Sequence, residues 1–276
     1  PERGARAERF YCRPRRAGVT DTTARRAGLD AAALKPTEVD LRAAATLPAD
    51  LGLVVDDEGR EHRPKAATLR GLTAYHDVRI TTPVRSDGYD PLGDDSTLDA
   101  VPDGVGRVAV AGNPNYMTDQ EAARDIAVRL RAAREADPDA WVGTEHVERI
   151  AMTVGGTQFE LFTPSTEREI RALRAAGFAD PVAVYVPVVL SEDDDVRLDA
   201  VGEYTARRRP VARALPDDTP TDASAAGRAR EVLTRAVRDY AFVGSVVSVR
   251  ERTDALRAAG VDTVVGYPAA GIEDLR

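Results

Sequence analysis

The chain of 276 residues is long enough to bury a large core, and its 43% hydrophobic content is that of a globular protein. The formal net charge of −8 argues against non-specific nucleic-acid binding, which selects basic surfaces. The single cysteine, Cys12, excludes an internal disulfide bond. We expect a cytoplasmic protein, since no apolar run approaches the ~18 residues of a membrane span and no stretch reads as a signal peptide.

Charge is distributed unevenly along the chain. Residues 1–28 contain eight arginines and three acidic residues and show no apolar period, whereas residues 29–276 carry a net charge of −13. We predict that the first segment is disordered or a non-native extension, with Val19 as the true start; a nucleic-acid arm is the alternative. The acidic body and the scarcity of lysine suggest a salt-loving archaeon, although codon bias alone could produce this composition.

Short β-branched runs recur along the chain and predict eight strands. Most are nearly continuous apolar runs, as expected of parallel strands that are buried on both faces. The predicted strands are 29–36, 51–56, 77–84, 107–113, 140–146, 157–164, 182–190 and 262–268.

Helix signals lie between these runs. Capping boxes are predicted at 118–121, 166–169 and 248–251, where a Ser or Thr hydroxyl and a Glu three residues later satisfy free backbone N–H groups. The phrase ALRAAG occurs twice, at 172–177 and at 255–260. Each copy ends a helix with a glycine suited to a left-handed cap and leads into a strand, so it predicts a joint between helix and strand.

Eight strands that alternate with helices predict a single-domain α/β protein, a (β/α)8 TIM barrel over residues 29–276. Residues 191–243 form a helical excursion between the last two predicted strands. The runner-up fold is a doubly wound open sheet. That fold would need a glycine-rich nucleotide loop after the first strand, and the sequence ALKPTEVD has none.

Three stretches in the second half carry a family resemblance. They are AWVGTEHVERIAMTVGGTQFELFTPSTEREIRALRAAG (140–177), PVAVYVPVVLSEDDDVRLDAVGEYTARR (181–208) and FVGSVVSVRERTDALRAAGVDTVVGYP (242–268). Their motifs, order and spacing resemble the luciferase-like flavin and deazaflavin oxidoreductases, including the methylenetetrahydromethanopterin reductases. The resemblance implies hydride transfer between a deazaflavin (coenzyme F420), or as second choice FMN, and a small-molecule substrate. We also expect a homodimer.

Active sites of such barrels lie at the carboxyl ends of the strands. The loops Gly143-Thr144 and Thr163-Pro164-Ser165 combine hydroxyls with backbone N–H groups near a helix start, which suits a phosphate. By the resemblance, they would hold the phosphate tail of the cofactor. The alternative is that Ser165 only caps the helix. Thr82 and Asn113 end the third and fourth strands and complete the predicted cofactor-binding set.

Lys35 is the candidate catalytic residue, because it ends the first strand in a protein with only two lysines. It could form a Schiff base, as in a lyase, or hold a phosphate or carboxylate. The alternatives for this residue are a surface lysine or an ion-pair partner for Asp56. A separate alternative for the whole protein is a non-catalytic barrel that binds a phosphorylated ligand or a partner chain. We predict no metal site, because the three histidines are far apart in sequence.

Overall fold

Eight parallel strands close into a barrel in the computed structural model, which describes residues 22–84, 101–110, 125–144 and 152–276. Each strand pairs with the next, and the last pairs with β1, so the ring has no open edge. The (β/α)8 prediction is therefore confirmed and the open sheet is excluded. The barrel strands are β1 (Ala31–Leu34), β2 (Gly52–Val55), β3 (Val78–Pro83), β4 (Gly106–Val110), β5 (Trp141–Thr144), β6 (Gln158–Leu161), β7 (Val182–Val189) and β9 (Thr263–Pro268).

Helices surround this ring. The stretch 191–243 holds three of them and a two-residue strand, β8 (Phe242–Val243), which pairs with the carboxyl end of β7. Short 3₁₀ helices lie at Leu41–Thr46, Arg60–His62 and Ile272–Leu275. The α-helices among the described residues are α1 (Thr23–Arg26), α2 (Ala66–Thr73), α3 (Ile126–Ala136), α4 (Thr166–Ala175), α5 (Asp194–Ala206), α6 (Arg209–Ala212), α7 (Gly227–Tyr240) and α8 (Val246–Ala259).

Alternation along the strands divides the core into two layers. In β7, Val182 and Val184 pack outward against a layer that includes Ile170 of α4. Ala183 and Tyr185 point into the barrel, where they join a cluster of residues from the other strands. Burial on both faces explains why the strands read as continuous apolar runs. Within the described ranges, no helix has the length and apolar character that a membrane span requires.

The two ALRAAG copies form the predicted joints at the amino-terminal end of the barrel. Gly177 and Gly260 adopt φ of +91° and +110°, which favours glycine. The first joint also contacts the second, since Arg174 donates hydrogen bonds to the carbonyl oxygen of Gly260 at 2.7 and 3.1 Å. Arg174 pairs in addition with the Asp262 carboxylate at 2.7 Å.

A third joint of the same design lies at 24–30, in the sequence ARRAGLD. Arg257 of α8 donates to the Gly28 carbonyl at 2.8 Å and pairs with Asp30 at 2.9 Å. Asp30 then accepts the Val264 backbone N–H at 2.7 Å, as Asp262 accepts that of Val182 at 2.8 Å. This joint closes the ring between β9 and β1.

Ordered structure begins earlier than we predicted. Residues 23–26 form α1, and the Ala24 and Ala27 side chains are fully buried in the core. The boundary at residue 28 was therefore placed too late, because the arginine-rich composition concealed a short helix. Residues 1–21, including Val19, lie outside the described residues.

The capping boxes differ from the prediction at both described positions. The N-cap of α4 is Ser165, and the Thr166 hydroxyl accepts from the Thr163 backbone N–H at 2.8 Å instead of capping the helix. The N-cap of α8 is Ser245, whose hydroxyl accepts from the Ser248 N–H. At α8 a hydroxyl one turn earlier therefore takes the capping role, whereas the Ser165 side chain makes no capping hydrogen bond at α4. The predicted box at 118–121 lies outside the described residues.

Candidate active site at the carboxyl end of the barrel

Four polar side chains converge on the barrel mouth. Tyr185 and Tyr267 belong to the interior cluster of β7 and β9. Lys35 lies two residues after the inward-facing Ala33. Asp56 follows β2 and lies two residues after the inward-facing Val54. Side chains two residues apart on a strand point to the same face. Lys35 and Asp56 are therefore expected on the inward face at the carboxyl end of the barrel, together with Tyr185 and Tyr267.

The Asp56 carboxyl group is the most perturbed acid of the mouth. Its Oδ2 accepts a hydrogen bond from the Tyr185 hydroxyl at 3.2 Å. Burial raises the pKa of Asp56 to about 7, with a smaller raising effect from the charges of Glu58 and Glu38. The positive charge of Lys35 and the Tyr185 hydrogen bond act in the opposite direction. A carboxyl with this pKa can both donate and accept a proton at neutral pH.

Lys35 is held by Glu38 and Tyr267. Its Nζ lies 3.1 Å from Glu38 Oε1 and 4.1 Å from the centroid of the Tyr267 ring. The Tyr267 hydroxyl also donates to Glu38, and its ring stacks on that of Tyr185 with centroids 6.1 Å apart. A Schiff-base lysine needs a neutral amine, whereas a carboxylate and an aromatic face both bind an ammonium ion. The geometry thus favours an electrostatic role for Lys35 over a nucleophilic one.

Helix α5 contributes Tyr204 to the same region. Burial raises the pKa of Tyr204, and the negative charge of Asp56 adds to this shift. The Tyr204 hydroxyl accepts a hydrogen bond from Arg208, whose guanidinium carbon also lies 4.4 Å from the ring centroid. Tyr204 therefore connects the mouth with Arg208 on the rim.

A cleft of about 420 Å³ lies at the rim beside the start of α4. The hydroxyls of Thr163 and Ser165 approach each other to 3.0 Å within the loop that precedes the helix. Hydroxyls, two guanidinium groups and a helix N-terminus make this wall attractive to an anion, whereas one carboxylate opposes it. The cleft is lined by Thr163, Pro164, Ser165, Glu169, Arg208, Arg209, Pro210 and Tyr240.

The structure brings only part of the predicted cofactor set together. Thr163 and Ser165 share the cleft, as described. Gly143 pairs in β5, and a Cβ there would lie 2.8 Å from Val110 Cγ1, so packing alone explains the glycine. Thr144 pairs with β6 through its backbone. Asn113 lies outside the described residues.

Thr82 does not face the mouth. Its side chain is buried, and its hydroxyl donates to the Ile80 carbonyl at 3.5 Å. Alternation in β3 places Thr82 with Val78 and Ile80 in the layer against the helices, while Thr81 takes the inward position. Thr82 therefore leaves the candidate set.

Sequence reasoning missed three residues of this site, which are Tyr185, Tyr204 and Arg208. It gave Asp56 no role beyond a possible ion pair with Lys35. The tyrosine within the apolar run VAVYVPVVL was the available signal for Tyr185. Nothing local marked Tyr204 or Arg208, because their position depends on how the excursion folds back over the barrel.

A second groove, of about 510 Å³, runs along α7. Its lining comes from one charged face of α7, and Arg230 and Arg238 in it already pair with Asp195 and Asp194 of α5. We therefore place the site in the barrel mouth. Among the described residues, no group of three His, Cys, Asp or Glu side chains is arranged to hold a metal ion.

The closed ring defines a (β/α)8 barrel, and two solved structures share this fold. An F420-dependent secondary alcohol dehydrogenase, solved with an F420-acetone adduct, aligns with a TM-score of 0.56 at 12% identity, covering 87% of this chain and 94% of that chain. The coenzyme F420 dependent tetrahydromethanopterin reductase from Methanopyrus kandleri also aligns with a TM-score of 0.56 at 12% identity, covering 87% of this chain and 94% of that chain. These similarities establish the fold, as the luciferase-like resemblance implied.

By sequence, the chain belongs to a family of unknown function (DUF7388), which it matches over residues 24–275. The match begins inside α1, in agreement with the burial of that helix. Comparison with curated proteins found no match.

Proposed function

We propose that this protein is an oxidoreductase that transfers hydride between a deazaflavin, with FMN as second choice, and a small metabolite. The observation that carries this proposal is the rim cleft with its hydroxyls and two arginines, connected through Tyr204 to an aromatic, proton-active mouth. The deazaflavin is preferred because the sequence resemblance and the two barrels of the same fold both point to it.

The residues present fit the phosphate end of such a cofactor. Both cofactors carry a phosphate, which Arg208, Arg209 and the hydroxyls of Thr163 and Ser165 would hold. Glu169 opposes this binding, but it is partly neutralised by Arg168 at 3.7 Å. At the mouth, the rings of Tyr185 and Tyr267 are buried and stack on each other, so they would form a rigid aromatic floor below the cofactor. When bound, the cofactor would supply the hydride chemistry, and the protein would supply orientation and charge.

The test is a fluorescence titration of the purified protein with deazaflavin and with FMN. Arg209→Ala should weaken binding about tenfold or more, the effect of losing one charge-assisted hydrogen bond. Ser165→Ala should weaken it several-fold without loss of stability, since the Ser165 side chain makes no capping hydrogen bond. Arg171→Ala is the matched control, because this exposed side chain of the same helix pairs with Glu167 and lies outside the cleft.

Failure of both cofactors to bind would reject the oxidoreductase and favour the non-catalytic barrel. Inorganic phosphate should then be titrated alone, since binding that is lost in Arg209→Ala would assign the cleft to a phosphorylated ligand. The contacts of Lys35 with Glu38 and the Tyr267 ring favour a charged ammonium group, so they do not support the lyase alternative. The homodimer, the cytoplasmic location and the halophilic archaeal origin stay predictions.

A further inference from the structure

We propose that Asp56 and Tyr185 transfer the proton of the reaction, and that the substrate is a small uncharged alcohol or the corresponding carbonyl compound. This inference rests on the proposed oxidoreductase function and assigns its substrate class. Its starting point is a hydrogen-bonded acid and phenol that point into the catalytic end of the barrel.

The geometry leaves one carboxyl oxygen of Asp56 available. Tyr185 donates to Oδ2 at 3.2 Å, and among the described residues no other side chain hydrogen-bonds this carboxyl group. Asp56 is half-buried, so its carboxyl is shielded by the barrel without being sealed off. A substrate hydroxyl could therefore meet Oδ1 while Tyr185 fixes the orientation of the group.

The surrounding charges are consistent with proton transfer. Lys35, Glu38, Glu58, Tyr185, Tyr204 and Tyr267 are the titratable groups of the described residues that act on or face Asp56. Burial dominates over all of them and raises the pKa of Asp56 to about 7. Burial also raises the pKa of Tyr185, so this phenol stays a neutral donor. Asp56 can then exchange a proton near neutral pH while Tyr185 holds it in place.

The same charges select against an anionic substrate. The mouth contains the carboxyl groups of Asp56, Glu38 and Glu58, and its one lysine already pairs with Glu38 at 3.1 Å. A substrate carboxylate or phosphate in the mouth would meet this excess of negative charge, and Lys35 is the one cation that the described residues show beside Asp56. An uncharged hydroxyl or carbonyl oxygen needs only the proton that Asp56 can accept or give.

The chemistry balances for an alcohol. The oxidised deazaflavin or flavin, when bound, would take the hydride, with both electrons, from the carbinol C–H bond. Asp56 Oδ1 would accept the O–H proton as the carbonyl forms. Asp56 returns its proton to solvent in the oxidative direction. It gives the proton to the carbonyl oxygen in the reductive direction.

The main experiment measures turnover of small neutral alcohols and of matched 2-hydroxy acids by the cofactor-loaded protein. We expect turnover of the neutral compounds, with the rate rising through about pH 7 as Asp56 ionises. Asp56→Asn should lower the rate about 10²- to 10⁴-fold, the usual contribution of general acid–base catalysis, with cofactor affinity unchanged. Tyr185→Phe should lower it less and shift the pH profile.

Asp77→Asn and Tyr75→Phe are the matched controls, since both residues are exposed and lie at the opposite end of the barrel. Their rates should equal that of the wild type. Infrared titration gives a readout that does not depend on turnover: a protonated carboxyl band should disappear as the pH rises through about 7, and it should be missing in Asp56→Asn.

The outcomes separate the two proposals. Cofactor binding without turnover of any neutral alcohol or carbonyl overturns the substrate class and leaves the oxidoreductase standing. Full activity of Asp56→Asn, or a carboxyl band that titrates near pH 4, overturns the role of Asp56. Absence of cofactor binding rejects the proposed function, and the substrate assignment falls with it.

Discussion

The ionised form of Asp56 costs the folded protein free energy, because burial removes water that the carboxylate would otherwise bind. Only the Tyr185 hydroxyl replaces that water directly among the described residues. The positive charge of the nearby Lys35 reduces this cost, but the ion pair that Lys35 forms is with Glu38. Asp56 therefore lowers the stability of the folded protein at neutral pH. The same burial gives it a proton that can be transferred in that pH range.

The pH dependence of stability should report this cost. The pKa of Asp56 is about 7 in the folded state against 3.8 for the free group, so the folded state binds the extra proton between these values. Stability therefore falls as the pH rises from about 4 to about 7, by an amount on the order of 4 kcal/mol at most, which solvent at the half-buried carboxyl reduces. Asp56→Asn should remove this fall and be more stable than the wild type at pH 8.

Urea unfolding at pH 5 and pH 8 measures the difference, with Asp77→Asn as the control. Parallel changes in wild type and Asp56→Asn would contradict the assignment.

The sequence could place Asp56 at a strand end, but it could not indicate its protonation. That property depends on burial and on a tyrosine 129 residues away.

At the scale of the elements, the joints between helix and strand repeat one physical solution. An arginine near the end of a helix binds the glycine carbonyl and the aspartate of a neighbouring joint, as Arg174 and Arg257 both do. The planar guanidinium suits this task because it donates in several directions at once. The two ALRAAG copies were recognised from sequence as joints. The third joint, which ends in Gly28, was missed because its arginine-rich segment was interpreted as disordered or non-native.

Removing Arg174 should destabilise the protein strongly. Its guanidinium donates hydrogen bonds to the carbonyl groups of Gly260, Phe178 and Asp180 and to the Asp262 carboxylate. We expect Arg174→Ala to cost about 3 kcal/mol, since several acceptors lose their partner, and Arg174→Lys to recover only part of it.

The control lies on the same helix. Arg171→Ala breaks only an exposed pair with Glu167, which is worth about 0.5 kcal/mol or less. Equal losses in Arg171→Ala and Arg174→Ala, measured by urea unfolding, would argue against a special role for the joint.

At the scale of the molecule, the barrel closes where its first and last described segments meet. Ala24 and Ala27 are buried in the main core, and the Thr23 N–H donates to the Arg276 carbonyl at 3.0 Å. Eight predicted strands were found at their expected places, because period and turn signals are local. The site was predicted less well, since Tyr204 and Arg208 reach the mouth from the excursion through tertiary packing alone.

A chain that begins at Leu29 should therefore be less stable than one that begins at Thr22. The shorter chain loses the buried alanines of α1 and the Gly28 carbonyl that Arg257 binds. We expect a loss of at least about 2 kcal/mol, or a Tm lower by roughly 5 °C for a domain of this size. Equal Tm values for these two chains, measured by calorimetry, would restore the original boundary at residue 28.

The arginine joints also bear on how sequences in this architecture can diverge. They lie at the amino-terminal end of the strands, away from Asp56 and the rim cleft at the other end. Substitutions around the mouth can therefore accumulate without weakening the contacts that close the ring. The residues that set what this chain binds can therefore change while the contacts that hold its scaffold together stay the same.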